Sequence, residues 1–378
     1  MHIGFVYEPF DARSGSYGAH GHYLAGELVR RGHTLLGPGL PEGPGMVSLP
    51  NDKRGKLRML RHADLLYIRV GVLHWLERCT LLRLLQPSCP VVWEINGIAE
   101  EILGGPSPSD HARRLLQRDL RRKRWMARLV DAAVCVSDML AVYATERYGI
   151  RRTLVAPNGG DPTARHPDGG ETVLADLNDR FVVLWAGSAN IPWQGLDQIL
   201  EAARRCERIA PDVLFALVLG GRGDMNLNLP HRRNTMMIHR TDRVTVGRYI
   251  ADADCVAVVY TSCGWRPVDG SSLKLFEAMA AGKPVIATAL GQTNDVVRDG
   301  VDGLLIPQDP DALVQAILRL RDDALLRSRL ATSARERIES AYTWRHTVDR
   351  VEPLLQELVA PRPKLTAGFR GASVNEVV

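Results

Sequence analysis

The chain has 378 residues, 45% of them hydrophobic and 24% charged, with a formal net charge of +5. That length is too great for one ordinary core and suits two domains, and the composition excludes disordered and collagen-like classes. So mild a charge gives no argument for a nucleic-acid partner, and no apolar run approaches the ~18 residues of a membrane-spanning helix.

Met1-His2-Ile3-Gly4-Phe5-Val6-Tyr7 opens directly on a strand, without the basic region and apolar core of a secretory signal. Cys79, Cys89, Cys135, Cys206, Cys255 and Cys263 sit in apolar contexts with no C-x-x-C pair. They are expected to be reduced core residues of a cytoplasmic protein. Short apolar strands alternate with helical patterns. The first half offers strands over Ile3–Tyr7, Leu65–Arg69, Val91–Glu94, Ala133–Ser137 and Thr153–Ala156, and helices over Gly21–Arg31 and Lys123–Ala132. Residues 157–168, rich in Pro, Gly and Asx, read as a linker. A second series follows over Phe181–Ala186, Phe215–Leu219, Cys255–Tyr260, Val285–Thr288 and Gly303–Ile306. The fold class is α/β: two Rossmann-like, doubly wound domains facing a cleft, one over 1–160 and one over 169–340, with ligands beyond the carboxyl ends of the strands. The tail, 361–378, is polar and contains Gly and Pro, and is expected to be disordered.

Residues 111–128 concentrate charge. Arg113, Arg114, Arg118, Arg121, Arg122, Lys123, Arg124 and Arg128 stand against Asp119 alone, with Leu116, Leu120, Trp125, Met126 and Leu129 interleaved at helical spacing. Two readings fit. A basic amphipathic helix can lie on an anionic membrane or guide an acidic acceptor. It can equally be a solvated helix whose apolar stripe faces its own domain.

The most informative segment is 269–288. Gly270, Ser271 and Ser272 precede a helix over Leu273–Ala281, which Gly282 ends and Pro284 keeps from resuming before the strand Val285–Ala287. A helix N-terminus offers N–H donors and partial positive charge to a phosphate. Lys274 in the first turn would add a full charge, and Glu277, one turn on, can accept hydrogen bonds from two sugar hydroxyls. Asp269 stands eight positions before Glu277. An ordinary helix–strand unit with Lys274 and Glu277 in solvent fits the spacing equally well.

The segment resembles the signature of the family 4 glycosyltransferases, which have the two-domain GT-B fold. Their pattern is Glu, seven residues, Glu, then Ala-Met-Ala-x-Gly-x-Pro-Val-Ile-Ala. Here Asp269 takes the first position and Glu277-Ala278-Met279-Ala280-Ala281-Gly282-Lys283-Pro284-Val285-Ile286-Ala287 the rest. Leu154–Asp161 is similar to the family's interdomain Val-x-Pro-Asn-Gly-Val-Asp, and Arg31-Gly32-His33 to its first-domain Arg-Gly-His. Tyr342-Thr343-Trp344 resembles the segment before a final helix, here about 345–360, that crosses back to the first domain. Gly187-Ser188 through Gln194-Gly195-Leu196-Asp197 is similar to a turn that normally carries an Arg and a Lys on the donor diphosphate. Ser188 and Gln194 replace those cations, so Lys274 and then Arg222, beside Gly221, are the candidates to supply the charge. Asp269 reaches one methylene less than the usual Glu.

The resemblance implies a retaining glycosyltransferase that moves a hexose-type sugar from a nucleotide diphosphate donor, UDP before GDP, without cofactor or metal. Glu277 would hold the ribose and Asp269 the transferred sugar. Lys274 and the amides of Ser271, Ser272 and Leu273 would stabilise the departing diphosphate. Gly15, Gly18 and His20 belong to a Gly-rich loop expected at the cleft, and Glu94 and Asn96 end a first-domain strand on the acceptor side. The acceptor class stays open among sugar-accepting small molecules, lipid-linked sugars and polysaccharides. Asp252-Ala253-Asp254 spells a D-x-D, but it precedes a strand and reads as structural rather than metal-binding. His20 and His22 lack further ligands for a metal. Two other readings are a nucleotide-sugar epimerase of the same fold and a sugar-nucleotide-binding protein that has lost turnover.

Overall fold

The computed structural model describes residues 1–7, 16–70, 76–100, 109–163, 173–174, 179–220, 229–239, 242–262 and 272–360. Gly15, Gly221, Arg222, Cys263, Asp269, Ser271 and the tail 361–378 lie outside the described residues.

The chain builds two parallel sheets, as the apolar runs require. The first contains β1 (His2–Val6), β2 (Thr34–Pro38), β3 (Met46–Leu49), β4 (Leu65–Val70), β5 (Val91–Ile95), β6 (Ala132–Cys135) and β7 (Thr153–Val155), in the order β3-β2-β1-β4-β5-β6-β7. The second contains β8 (Phe181–Gly187), β9 (Val213–Leu219), β10 (Thr235–His239), β11 (Cys255–Val258), β12 (Val285–Thr288) and β13 (Leu304–Ile306), in the order β10-β9-β8-β11-β12-β13. Strand order reverses at one seam in each sheet, where Val6 pairs with Ile68 and where Val256 pairs with Leu184. At such a seam the connections leave to opposite faces, and a crevice opens at the carboxyl ends.

Helices α1 (Ser16–Arg30), α2 (Lys53–His62), α3 (Asp110–Met126) and α4 (Asp138–Tyr143) serve the first sheet. Then follow α5 (Leu196–Ile209), α6 (Arg243–Asp252), α7 (Leu273–Ala280), α8 (Thr293–Val296), α9 (Pro310–Asp322), α10 (Ala324–Ala341) and α11 (Trp344–Val359). Right-handed crossovers put α1 on one face of the first sheet and α2, a 3-10 run over Leu76–Leu84, and α3 on the other. Core packing agrees: Leu24 and Leu28 of α1 join Ile3 and Phe5, whereas Met59 of α2 and Met126 of α3 join Ile68 and Trp93.

The last helix, α11, packs on the first sheet beside α1 through Val348, Val351 and Leu355. Thr343 caps it, and His346 completes a capping box. Arg31-Gly32-His33 clasps it. Arg31 donates to Glu352 at 2.8 Å, Asp349 at 2.6 Å and the Arg345 carbonyl at 3.0 Å, while His33 Nε2 lies 2.9 Å from Glu352. The outgoing linker runs against this returning segment: Gly160 N–H donates to Tyr342 O at 2.8 Å. A Cβ on Gly160 would come within 2.6 Å of Phe276 O, so only glycine allows the approach.

Three expectations need correction. Helix α3 stops at Met126, not Ala132, because Val130 turns extended and the Asp131 carboxylate accepts the Val91 N–H at 2.8 Å, drawing the chain into β6. Residues 16–22 are not a Gly-rich loop but the first turns of α1, where buried Ala19 and Leu24 meet the sheet. β2, β3, α2 and β10 add to the expected elements.

Candidate active site

α7 is set by its ends. Ser272 is the N-cap and makes no side-chain cap hydrogen bond. At the other end Gly282 N–H donates to Met279 O and Lys283 N–H to Ala278 O, both at 3.0 Å, the two bonds of a Schellman stop. The apolar side chains Leu275, Phe276 and Met279 are buried, which fixes the helix roll. Leu273 packs into the first-sheet cluster with Ala156 and Trp344, so the helix start lies beside the linker.

That roll carries Lys274 to the seam of the second sheet. Its Nζ donates to Ala186 O at 3.0 Å, at the carboxyl end of β8. It lies 5.4 Å from the Trp185 ring centroid and 5.5 Å from that of Tyr260, which follows β11. The lysine is half-buried, and burial pushes its pKa down to about 8. Among the described residues it meets one neutral carbonyl and two ring faces, which compensate a cation only in part. Glu277, half-buried, stands one turn further along the same helix.

Gly187 ends β8 and opens the adjoining turn. The Gln194 side-chain oxygen accepts the Ser188 N–H at 2.8 Å, and its backbone carbonyl accepts the Trp185 indole N–H at 3.1 Å. Gln194 therefore braces the loop and occupies an amide that could otherwise face an anion. A Cβ on Gly187 would fall 2.3 Å from that same Gln194 oxygen. Gly187, Ser188, Gln194, Lys274 and Glu277 are thus assembled around one strand end and one helix start.

At the seam of the first sheet the charges are locked together. Glu94 on β5 is 1% exposed and accepts from Tyr67 Oη at 2.9 Å, with His20 Nε2 at 3.0 Å and Arg69 Nη1 at 3.8 Å. Burial would raise its pKa, but His20 and then Arg69 outweigh burial and bring it to about 2. His20, 2% exposed, turns its Nδ1 to Asn158 of the linker and to Asn96 Nδ2, the latter at 2.9 Å. Arg69 lies over the Tyr7 ring at 5.3 Å. Asn96 is half-buried at the open edge, while Gly18 is buried within α1. Sequence reasoning names His20, Glu94 and Asn96, and misses Tyr7, Tyr67, Arg69 and Asn158. It likewise misses Trp185 and Tyr260, although their places at strand ends beside a seam are a usable signal.

The D-x-D carboxylates lie at the amino end of β11, opposite the seam's open end. Asp252 accepts the Val173 and Leu174 N–H groups at 2.6 and 3.3 Å, and Asp254 accepts that of Val182 at 2.8 Å. His22 is exposed, against the edge of Tyr23.

The family description Glycosyltransferase Family 4 matches residues 12–164, and Glycosyl transferases group 1 matches residues 180–323. A D-inositol 3-phosphate glycosyltransferase of Nocardioides sp. is 42% identical over 243 residues, covering 57% of this chain and 51% of that protein. A GDP-mannose-dependent monoacylated alpha-(1-6)-phosphatidylinositol monomannoside mannosyltransferase of Corynebacterium glutamicum is 25% identical over 184 residues, 48% of each. The chain spans about half the length of the curated relatives it matches. The crystal structure of Anabaena HepE with UDP-glucose shares the fold, with a TM-score of 0.66 and 19% identity over 94% of this chain and 100% of that one.

Proposed function

This chain belongs to the family 4 glycosyltransferases of the GT-B fold, and on that premise we propose that it is a retaining hexosyltransferase using a nucleoside diphosphate sugar. The observation that carries the reading is Lys274, an incompletely compensated cation at the carboxyl-end seam of the second sheet. With a pKa of about 8 it is mainly protonated at neutral pH. It would balance the charge that develops on the departing diphosphate, aided by the amides of Ser272 and Leu273 at the start of α7. Glu277 would hold the ribose hydroxyls. Gly187, Ser188 and Gln194 would form a neutral wall of the donor site. Asp269 would orient the sugar and Ser271 would add an amide, roles implied by the family resemblance, while Arg222, beside Gly221 in sequence, would be a second cation in place of the family's missing pair.

Retention needs no protein nucleophile in this scheme. The acceptor hydroxyl attacks from the face that the diphosphate leaves, and its proton passes to the leaving phosphate oxygen. The acceptor, a small molecule, a lipid-linked sugar or a polysaccharide, would approach from the first sheet. Asn96 lies at its edge, held by His20 and through it by Glu94. The Anabaena complex supports a uridine donor, and the Corynebacterium relative supports guanosine as the second reading.

Titration calorimetry with UDP and GDP decides the base, with UDP expected to bind at least tenfold more tightly. Incubation with the preferred donor and a panel of acceptors, read by proton NMR, should give product with the donor's anomeric configuration. Inverted product would end the retaining reading. An isomerised donor formed without acceptor would identify an epimerase, and donor binding with neither transfer nor hydrolysis a non-enzyme.

A further inference from the structure

α2, the 3-10 run and α3 cover one face of the first sheet. These three elements lie side by side, the 3-10 run touching both helices. On α3 the mid-helix acid, Asp119, is turned inward. Asp119 is buried and pairs with Lys123 and Arg122, both at 2.7 Å, and Arg122 also reaches the fully buried Glu77 at 2.6 Å. This settles part of the basic segment as internal wiring. The remainder points out: Arg114, Arg118, Arg121, Arg124 and Arg128 are exposed, and Trp125 among them is 52% exposed.

α2 repeats the pattern. Met59 and Leu60 face the core, while Arg54, Leu57, Arg58 and Arg61 face out, with Leu57 49% exposed. Between the two helices the 3-10 run and the residue after it expose Leu81, Leu84 and Leu85, the last two by 59% and 66%. The result is an apolar ridge flanked on both sides by arginines.

We propose that this face docks on an anionic lipid bilayer. Leucine and tryptophan side chains suit the headgroup–acyl boundary, and arginines beside them suit lipid phosphates. A nucleic acid would meet the arginines but leave the leucine ridge without a partner. The inference goes beyond the donor chemistry, and donor binding and lipid binding are read separately.

The test is sedimentation of the full chain with vesicles of equal phosphatidylglycerol and phosphatidylcholine, and with pure phosphatidylcholine, at low and moderate salt. Binding is expected on the anionic vesicles, weakened by salt, with little on the neutral ones. The combined Arg118→Gln, Arg121→Gln and Arg124→Gln variant should bind about 100-fold more weakly, at roughly fivefold per arginine. Leu84→Ser with Leu85→Ser should cost about tenfold, at low and moderate salt alike. Both variants alter exposed side chains and should keep the wild-type unfolding temperature and UDP affinity. The proposal is overturned by absence of pelleting at low salt, by equal binding to neutral vesicles, or by unchanged binding of either variant. Tighter binding to duplex DNA than to anionic vesicles at the same salt would overturn it too.

Discussion

The two seams hold buried charge in opposite ways. At the first, Glu94 meets His20, Arg69 and Tyr67, and its pKa falls to about 2. At the second, Lys274 meets one carbonyl and two aromatic faces, and its pKa falls to about 8. Both shifts are downward, but their meanings differ. A depressed carboxylate pKa says that the charged form is stabilised by its neighbours. A depressed lysine pKa says that the charged form is left short of partners. The first seam neutralises its buried carboxylate with protein charges, whereas the second gains from an anion. Burial of charge alone therefore does not locate a functional site; the sign of its compensation does.

The largest effect should come from cutting the completed network. Glu94→Gln would remove the buried carboxylate that His20 and Arg69 both face and should destabilise the fold by about 3–5 kcal/mol in urea denaturation. Glu94's folded pKa lies below its ordinary 4.5, so its contribution is present above that value and lost as pH falls toward about 2. The variant should lack that acid-side loss. A cost below about 1 kcal/mol would place Glu94 with the weakly coupled surface pairs. Next comes Lys274→Ala, expected to lower kcat by about 100-fold or more while stability holds. Near-normal kcat would move the role to Arg222. Glu277→Gln should weaken UDP and the UDP-sugar by the same factor, about tenfold for one charge-assisted hydrogen bond. Unchanged UDP affinity by calorimetry would remove Glu277 from the ribose. Gln194→Ala should show the smallest change, about 1 kcal/mol of stability for the lost bond to Ser188. A kcat loss as large as that of Lys274→Ala would show that Gln194 does more than brace its loop.

Much of the fold is legible in the sequence because buried parallel strands appear as apolar runs, as in β4, β5, β8 and β9. β2 is not, since its short apolar run Leu35-Leu36 passes straight into Gly37-Pro38-Gly39, residue types that favour turns. Gly37 nonetheless sits in a strand, where a Cβ would lie 2.0 Å from Phe5 O. The stop of α7 is fully written in Gly282 and Pro284. The site is half legible. Spacing places Lys274 and Glu277 on one helix, but Trp185 lies on β8 and Tyr260 just after β11, two strands that only the seam joins. Ser188 and Gln194 each register as a missing cation, and their mutual hydrogen bond depends on side-chain geometry that no pattern encodes. The basic segment reads as one amphipathic stripe. Folding divides it into a buried ion-pair cluster and an exposed face, because Glu77 arrives from a distant part of the chain.

The most direct measurement is UDP affinity by calorimetry between about pH 6.5 and 9, for the wild type and Lys274→Met. A bound diphosphate should raise the lysine's pKa above its free value of about 8. Wild-type affinity should then be flat below about pH 8 and fall by up to about tenfold per pH unit above it, with proton uptake on binding near pH 8. Lys274→Met should bind more weakly and show neither effect. A wild-type affinity that stays flat through pH 9, or a methionine variant with the same slope, would contradict a diphosphate bound against Lys274.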